Sequence, residues 1–180
     1  MTIPSDKMLV KAVLSGEEAA YGRLYDKYAP LVRAICYDAT GNLADAQDLA
    51  QDVFLRAYRR LRRLREPELF GRWIVAIARL RCKEWLRETS RRQDEHSRLN
   101  DAKSAIAGCS NENQIERLRE EIAKLPEKER LVLHTFYLQS KSADNACRIL
   151  GLSRSGFYCV LERAKKQLAS LLAQKEQDIR

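Results

Sequence analysis

Residues 43–64 read LADAQDLAQDVFLRAYRRLRRL, and their spacing decides the fold class. At about 100° per residue, Ala46, Leu49, Val53, Ala57, Leu61 and Leu64 fall on one arc. This predicts an amphipathic helix with that arc packed inward. The opposite side carries Asp45, Asp48, Gln51, Asp52, Leu55 and Arg59, so Leu55 stands alone among polar groups. The spacing leaves two readings open. A solvated helix face can show a single leucine without consequence. A leucine ringed by acids, a glutamine and arginines also fits a small contact with a charged rim.

Helical spacing continues in both directions, and no alternating run predicts a strand. Helices are expected over Asp6 to Leu14, Glu17 to Tyr28, from Pro30 to near Gly41, and Phe70 to Arg91. After these, the segment from Gln93 to Asn113 loses its apolar period and reads as a flexible linker. Ile115, Leu118 and Ile122 restart a helix that should end before Pro126. Leu131, Val132 and Thr135 to Leu138 belong to another, and two shorter helices complete the chain. The expectation is an all-α protein with two small helical domains, 1–92 and 114–180, joined by a linker over 93–113.

With 45% hydrophobic and 32% charged residues the chain should fold rather than stay disordered. No stretch approaches the roughly 18 consecutive apolar residues that would span a bilayer, so no membrane insertion is expected. Met1 to Asp6 lacks the order of a secretory signal. The five cysteines are odd in number and scattered without a CxxC pair, which points to reduced thiols in a cytoplasm.

The net charge of +8 is unevenly placed. Residues 1–55 carry a net −3, 56–92 a net +9, 93–112 a net −2 and 113–180 a net +4. One short stretch therefore holds more positive charge than the whole chain, the footprint of a polyanion surface. Within it Arg72, Arg79, Lys83 and Arg87 fall within about 80° of arc on one helix face, with Arg91 and Arg92 beyond. Such a stripe matches the way proteins neutralise phosphates. Trp73, Trp85 and Phe70 nearby offer faces on which unpaired bases could stack, with core packing as the plainer role of Trp73.

Near the C-terminus Ser142 to Leu161 fits a helix-turn-helix. Ala146, Ile149 and Leu150 face inward, Gly151 takes the turn, and Leu152 fills the angle. Ser153 caps a second helix whose apolar positions are Phe157, Val160, Leu161 and Ala164. In such motifs the start of the second helix enters the major groove. Arg154, Ser155 and Tyr158 are candidates for base or phosphate contact, and Arg163, Lys165 and Lys166 for the backbone. His96 and His134 have no ligand partners at helical spacing, so no metal and no cofactor are expected. Cys147 and Cys159 read as small core residues. No nucleophile–base pattern or phosphate loop occurs, so the chain does not read as an enzyme.

Three motifs, in order, resemble the extracytoplasmic-function (ECF) group of bacterial RNA polymerase sigma factors. Asp45 to Tyr58 is similar to the family's polymerase-binding helix, Phe70 to Arg79 to the segment that melts and reads the −10 element, and Leu125 to Arg130 to the opening of region 4. The resemblance implies a region-2 domain, a linker and a region-4 domain. It implies that Asp48, Gln51, Asp52, Leu55 and Arg59 bind the β′ clamp of core RNA polymerase. Arg72, Trp73, Arg79, Lys83 and Arg87 would hold −10 promoter DNA, and the helix-turn-helix would read the −35 element beside the β flap. An anti-sigma factor is implied as a further partner. The resemblance is incomplete: Leu80 stands where the family usually has Asn, and Tyr158 and Val160 where it has Lys and Arg. Two other readings are a mimic that sequesters an anti-sigma factor and a helix-turn-helix repressor.

Overall fold

The computed structural model describes residues 4–96, 112–139 and 141–178. The described residues form eight α-helices and two short 3-10 turns, with no strand among them. They are α1 (Asp6–Leu14), α2 (Glu18–Thr40), α3 (Leu43–Arg60), α4 (Phe70–His96), α5 (Glu112–Ala123), α6 (Glu127–Leu138), α7 (Ala143–Leu150) and α8 (Arg154–Asp178). Local chemistry starts several of them. The Ser5 Oγ accepts from the Met8 amide at 3.3 Å, and Asn42 Oδ1 accepts from Ala44 and Asp45 at 2.8 and 3.2 Å. These side chains satisfy amides that the first turn leaves without partners.

The structure departs from the expected boundaries at four places. Pro30 does not start a helix but lies inside α2. An interior proline removes one backbone hydrogen bond and crowds the preceding turn. Here Leu24, Tyr28, Leu31, Val32 and Ile35 bury on one continuous face across it, and packing outweighs that local cost. Next, α3 ends at Arg60, and Leu61–Arg63 tighten into a 3-10 turn that keeps Leu61 buried. The third departure is at the expected linker: α4 runs on to His96 and α5 begins at Glu112, while 97–111 lie outside the described residues. Finally, the last helix is long, not short, because Val160, Leu161 and Ala164 carry its apolar face beyond the turn.

Two clusters of buried side chains form. The larger packs α1 to α4 around Leu24, Leu31, Val32, Val53, Phe70 and Ile74. Asp6 ties α1 to α2 by accepting from Tyr28 Oη and Lys27 Nζ, both at 2.6 Å. Burial, and then the neighbouring Asp6 carboxylate, push the Tyr28 phenol well above its ordinary pKa. The smaller cluster joins α6, α7 and α8 around Val132, Leu133, Ala146, Phe157 and Leu161. Leu131 of α6 and Ile149 of α7 pack not with it but into the larger cluster. Gly71 permits this approach: a Cβ there would lie 2.6 Å from Tyr28 Oη and 2.9 Å from Ile149 Cγ1.

Candidate functional site

Three surfaces carry the side chains that the sequence singles out. The first is a groove between α2 and α3. Leu55 is 54% exposed at its rim, and Glu18, Tyr21, Tyr25, Gln51, Phe54 and Tyr58 complete a cavity of about 530 Å³. Its aromatic wall is braced. Tyr21 Oη donates to the Phe54 carbonyl at 2.5 Å, the Tyr21 and Tyr58 rings meet edge to face at 4.9 Å, and Tyr25 lies 4.6 Å from Phe54. Burial raises the Tyr21 phenol's pKa, which keeps that donor protonated. Leu55 is therefore the exposed edge of an apolar slot rather than an isolated leucine.

Of the expected partner-binding residues, Gln51 and Leu55 line this groove, and Asp48 and Arg59 lie exposed on the same helix. Asp52 turns the other way, toward α4. It accepts from Arg81 Nε at 2.5 Å and from Arg56 Nε at 3.2 Å, while Arg56 and Arg81 also reach Glu84. Burial alone would raise the Asp52 carboxyl; the Arg81 hydrogen bond and the two guanidinium charges outweigh it and hold it below its ordinary value. Tyr21 and Tyr25 carry no signal of a groove in the sequence, because helical spacing within α2 does not report that α3 lies beside them.

The second surface is the basic side of α4. Trp73 is half-buried, with its ring 6.0 Å from that of Phe70, and it packs against the larger core, as does Trp85. Arg72 and Arg79 face the second helical unit and share a cavity of about 500 Å³ with Glu127, Leu131, Ile149 and Leu152. Arg79 Nε donates to Glu127 Oε1 at 2.7 Å, and that hydrogen bond holds the Glu127 carboxyl below its usual range. Lys83 and Arg87 are exposed and make no ion pair among the described residues. Arg60, Arg62, Arg63 and Arg65, exposed beside Arg59 at the end of α3, were not singled out by helical spacing. Only their density in the sequence marked them. They extend the positive field past the start of α4.

The third surface is the helix-turn-helix of α7 and α8. Ser142 Oγ accepts from the Asn145 amide, and Gly151 closes α7 at φ 67°, where glycine is favoured. Ser153 Oγ accepts from the Gly156 amide at 3.2 Å at the start of α8. Phe157 is fully buried, which aims Arg154, Ser155 and Tyr158 outward, all exposed. Arg154 lies 3.7 Å from Asp144, Arg163 lies 3.9 Å from Glu129, and Lys165 pairs with Glu162 at 3.2 Å; Lys166 is exposed. Cys159 is exposed, not a core residue, because it lies on the outward side of α8 beside Tyr158; Cys147 is half-buried. Among the described residues no group of three His, Cys, Asp or Glu could hold a metal ion. None of the described helices is long and apolar enough to cross a membrane.

Residues 24–92, which hold most of α2 and all of α3 and the basic part of α4, match the Sigma-70 region 2 family. The chain is 30% identical over 169 residues to a probable RNA polymerase sigma factor, RfaY, of Xanthomonas campestris, covering 89% of this chain and 42% of that protein. It is 29% identical over 174 residues to the ECF RNA polymerase sigma factor BldN of Streptomyces coelicolor, covering 91% of this chain and 64% of that one. The chain thus spans about half the length of these two relatives. Among solved structures, CnrH in complex with the cytosolic domain of CnrY superposes with a TM-score of 0.68 at 21% identity, over 95% of this chain and 99% of that one. The sigma factor RpoE in complex with the anti-sigma factor NepR, from Bartonella quintana, superposes with a TM-score of 0.56 at 18% identity, over 85% and 96%. These two likenesses show the fold.

Proposed function

The chain is a relative of the ECF sigma factors with a sigma-70 region 2 at residues 24–92, and from that premise we propose that it directs core RNA polymerase to specific promoters. The observation that carries the reading is the coincidence of three surfaces with the order of the sequence motifs. The region-2 segment contains the α4 stripe and all of the apolar α2–α3 groove but Glu18 and Tyr21, and a helix-turn-helix follows.

In this reading the groove around Leu55 docks on the polymerase clamp. An aromatic slot with a polar rim suits a helical partner whose apolar side chain fills it. Arg72, Arg79, Lys83 and Arg87 hold the backbone of the −10 region while bases are unpaired. Arg154, Ser155 and Tyr158 meet the −35 duplex in the major groove, with Arg163, Lys165 and Lys166 on phosphates. Phosphate contacts position the protein, and Tyr158 in place of a cation shifts the −35 contribution toward apolar and hydrogen-bonding contacts. No covalent step is assigned to the chain; it acts by positioning polymerase and capturing melted DNA. An anti-sigma partner is part of the proposal, supported by the fold shared with a sigma factor solved in complex with one.

The test is transcription in vitro with purified core polymerase on a genomic promoter library. Promoter-specific transcripts are expected. Absence of transcripts, with tight binding to an anti-sigma protein retained, would replace the reading with that of a mimic.

A further inference from the structure

Two buried side chains carry chemistry that neither the fold nor the proposed function uses. Cys36 of α2 is fully buried and Cys82 of α4 is 6% exposed, and they meet where the two helices pack in the larger core. The Cys36 thiol donates to the Cys82 sulfur, and Cys82 Sγ in turn donates to the Ile35 carbonyl at 3.7 Å. Ala39 lies three residues after Cys36, and the fully buried Ala78 four residues before Cys82, so each cysteine has an alanine beside it on its own helix. Small side chains on both helices shorten the distance between the backbones. A disulfide needs its two Cα atoms within about 7 Å, and this crossing is built for such an approach.

Cys82 also lines a cavity of about 220 Å³ between α2, α4 and α6, rimmed by the exposed side chains of Arg79, Lys83 and Leu86. A water molecule occupies roughly 30 Å³ of liquid, so a molecule the size of hydrogen peroxide has room there. The hydrogen bond between the thiols divides their roles. It holds the Cys82 thiol below its ordinary pKa and, together with burial, pushes the Cys36 thiol up. Burial, Asp38 and Glu127 oppose the lowering at Cys82, and Arg81 adds to it. Cys82 is thus the attacking sulfur, reached through the cavity, and Cys36 is the resolving thiol beside it.

We propose that Cys36 and Cys82 are an oxidative modification site, at which hydrogen peroxide converts the two thiols to a disulfide that ties α2 to α4. The Cys82 sulfur attacks one peroxide oxygen and the O–O bond breaks. The displaced hydroxide takes the thiol proton and leaves as water, and Cys82 becomes a sulfenic acid. The Cys36 sulfur then attacks the Cys82 sulfur, whose hydroxyl leaves with the Cys36 proton as a second water. The dithiol loses two electrons and two protons, and one peroxide is reduced to two waters. The bond closes a loop that contains all of α3, so the oxidised α1–α4 unit should resist unfolding more strongly. Core packing by itself would call for two small apolar side chains here, and needs neither the hydrogen bond between the sulfurs nor the cavity at Cys82. The inference holds whether or not α4 meets DNA.

The experiment treats the folded full chain with hydrogen peroxide, blocks the remaining thiols by alkylation, and maps the cysteines by mass spectrometry of non-reduced peptides. The expected result is a peptide linking Cys36 to Cys82 that dithiothreitol removes, with an upward shift in the unfolding midpoint of the oxidised chain. Cys36→Ser should leave a sulfenic acid on Cys82 that dimedone traps, at unchanged helicity by circular dichroism. A chain carrying Cys109→Ser, Cys147→Ser and Cys159→Ser should lose both of its thiols at the wild-type rate, since the pair needs no other cysteine. Cys36 and Cys82 still reduced after the exposed Cys159 has reacted would overturn the proposal. So would a link that forms only in denaturant, or oxidation of Cys82 to sulfinic acid without the link.

Discussion

α4 and α8 both offer exposed arginines and lysines to a polyanion, yet those at the start of α4 meet the other helical unit and those of α8 do not reach α1 to α4. On α4 the N-terminal cations are engaged within the chain: Arg79 by Glu127, Arg72 by the Gly151 turn. On α8, Arg154, Ser155 and Tyr158 stay exposed on a helix whose inner side is held by Phe157, and Arg154 reaches only the exposed Asp144, 3.7 Å away within the same helix-turn-helix. The difference follows from what each surface would meet. Duplex DNA offers a preformed groove, so its reader can stand ready. Unpaired bases exist only after melting, so a stripe that meets them loses nothing by being engaged elsewhere beforehand.

The largest effect is expected where the second helical unit loses its core. The smaller core is organised around Phe157, whose ring also contacts Phe136 at 5.9 Å. Phe157→Ala should cost about 3–5 kcal/mol, because the ring's contacts go and a cavity remains. Denaturation followed by circular dichroism should show α5 to α8 melting ahead of α1 to α4. A single unchanged transition would mean that Phe157 carries little of that unit.

Next in size is a surface that belongs to neither side of the comparison. Leu55→Ala in the α2–α3 groove should weaken binding to core polymerase by about 2 kcal/mol, roughly thirtyfold, as expected for a central apolar anchor. Affinity for single-stranded DNA should stay as it was. Unchanged binding in a competition assay with labelled core polymerase would remove the groove from the clamp interface.

Salt dependence sharpens the contrast between the two helices. Lys83→Ala and Arg87→Ala should each flatten the log–log salt slope for single-stranded DNA by about 0.7, the share of one phosphate. Arg154→Ala should leave that slope alone and reduce the slope for duplex DNA by about 0.9. The reverse pattern would exchange the roles of the two helices.

Most of the fold was legible in the sequence because its helices are amphipathic and several begin on polar side-chain caps, Ser5, Asn42 and Ser142 among them. Ala46, Leu49, Val53, Ala57 and Leu61 are all buried as their period predicts. The helix-turn-helix was equally legible, since Gly151 and Ser153 carry both its turn and its cap. What escaped were facts that depend on neighbours distant in sequence. Pro30 continues α2 because of packing on a face shared by both halves. Tyr21 and Tyr25 line a groove because α3 lies beside them. The engagement of Arg79 depends on Glu127, which lies in another helical unit, and no local pattern reports that pairing.

Asp52 carries the smallest expected effect: it holds α4 from the side opposite Arg72 and Arg79. Its carboxylate joins α3 to Arg81, and through Arg81 to Glu84 and Glu88. With its folded-state pKa held below the ordinary 3.8, the unfolded chain binds the proton more readily. The stabilisation is therefore complete above that ordinary value and is lost as pH falls through the lower folded value. Asp52 is partly exposed, so screening limits the effect to about 1 kcal/mol or less at neutral pH. Asp52→Asn should lower stability by that amount at neutral pH and by nothing once wild-type Asp52 is itself protonated. Urea melts across that range should converge. A constant difference would mean that Asp52 supports α4 through shape rather than charge.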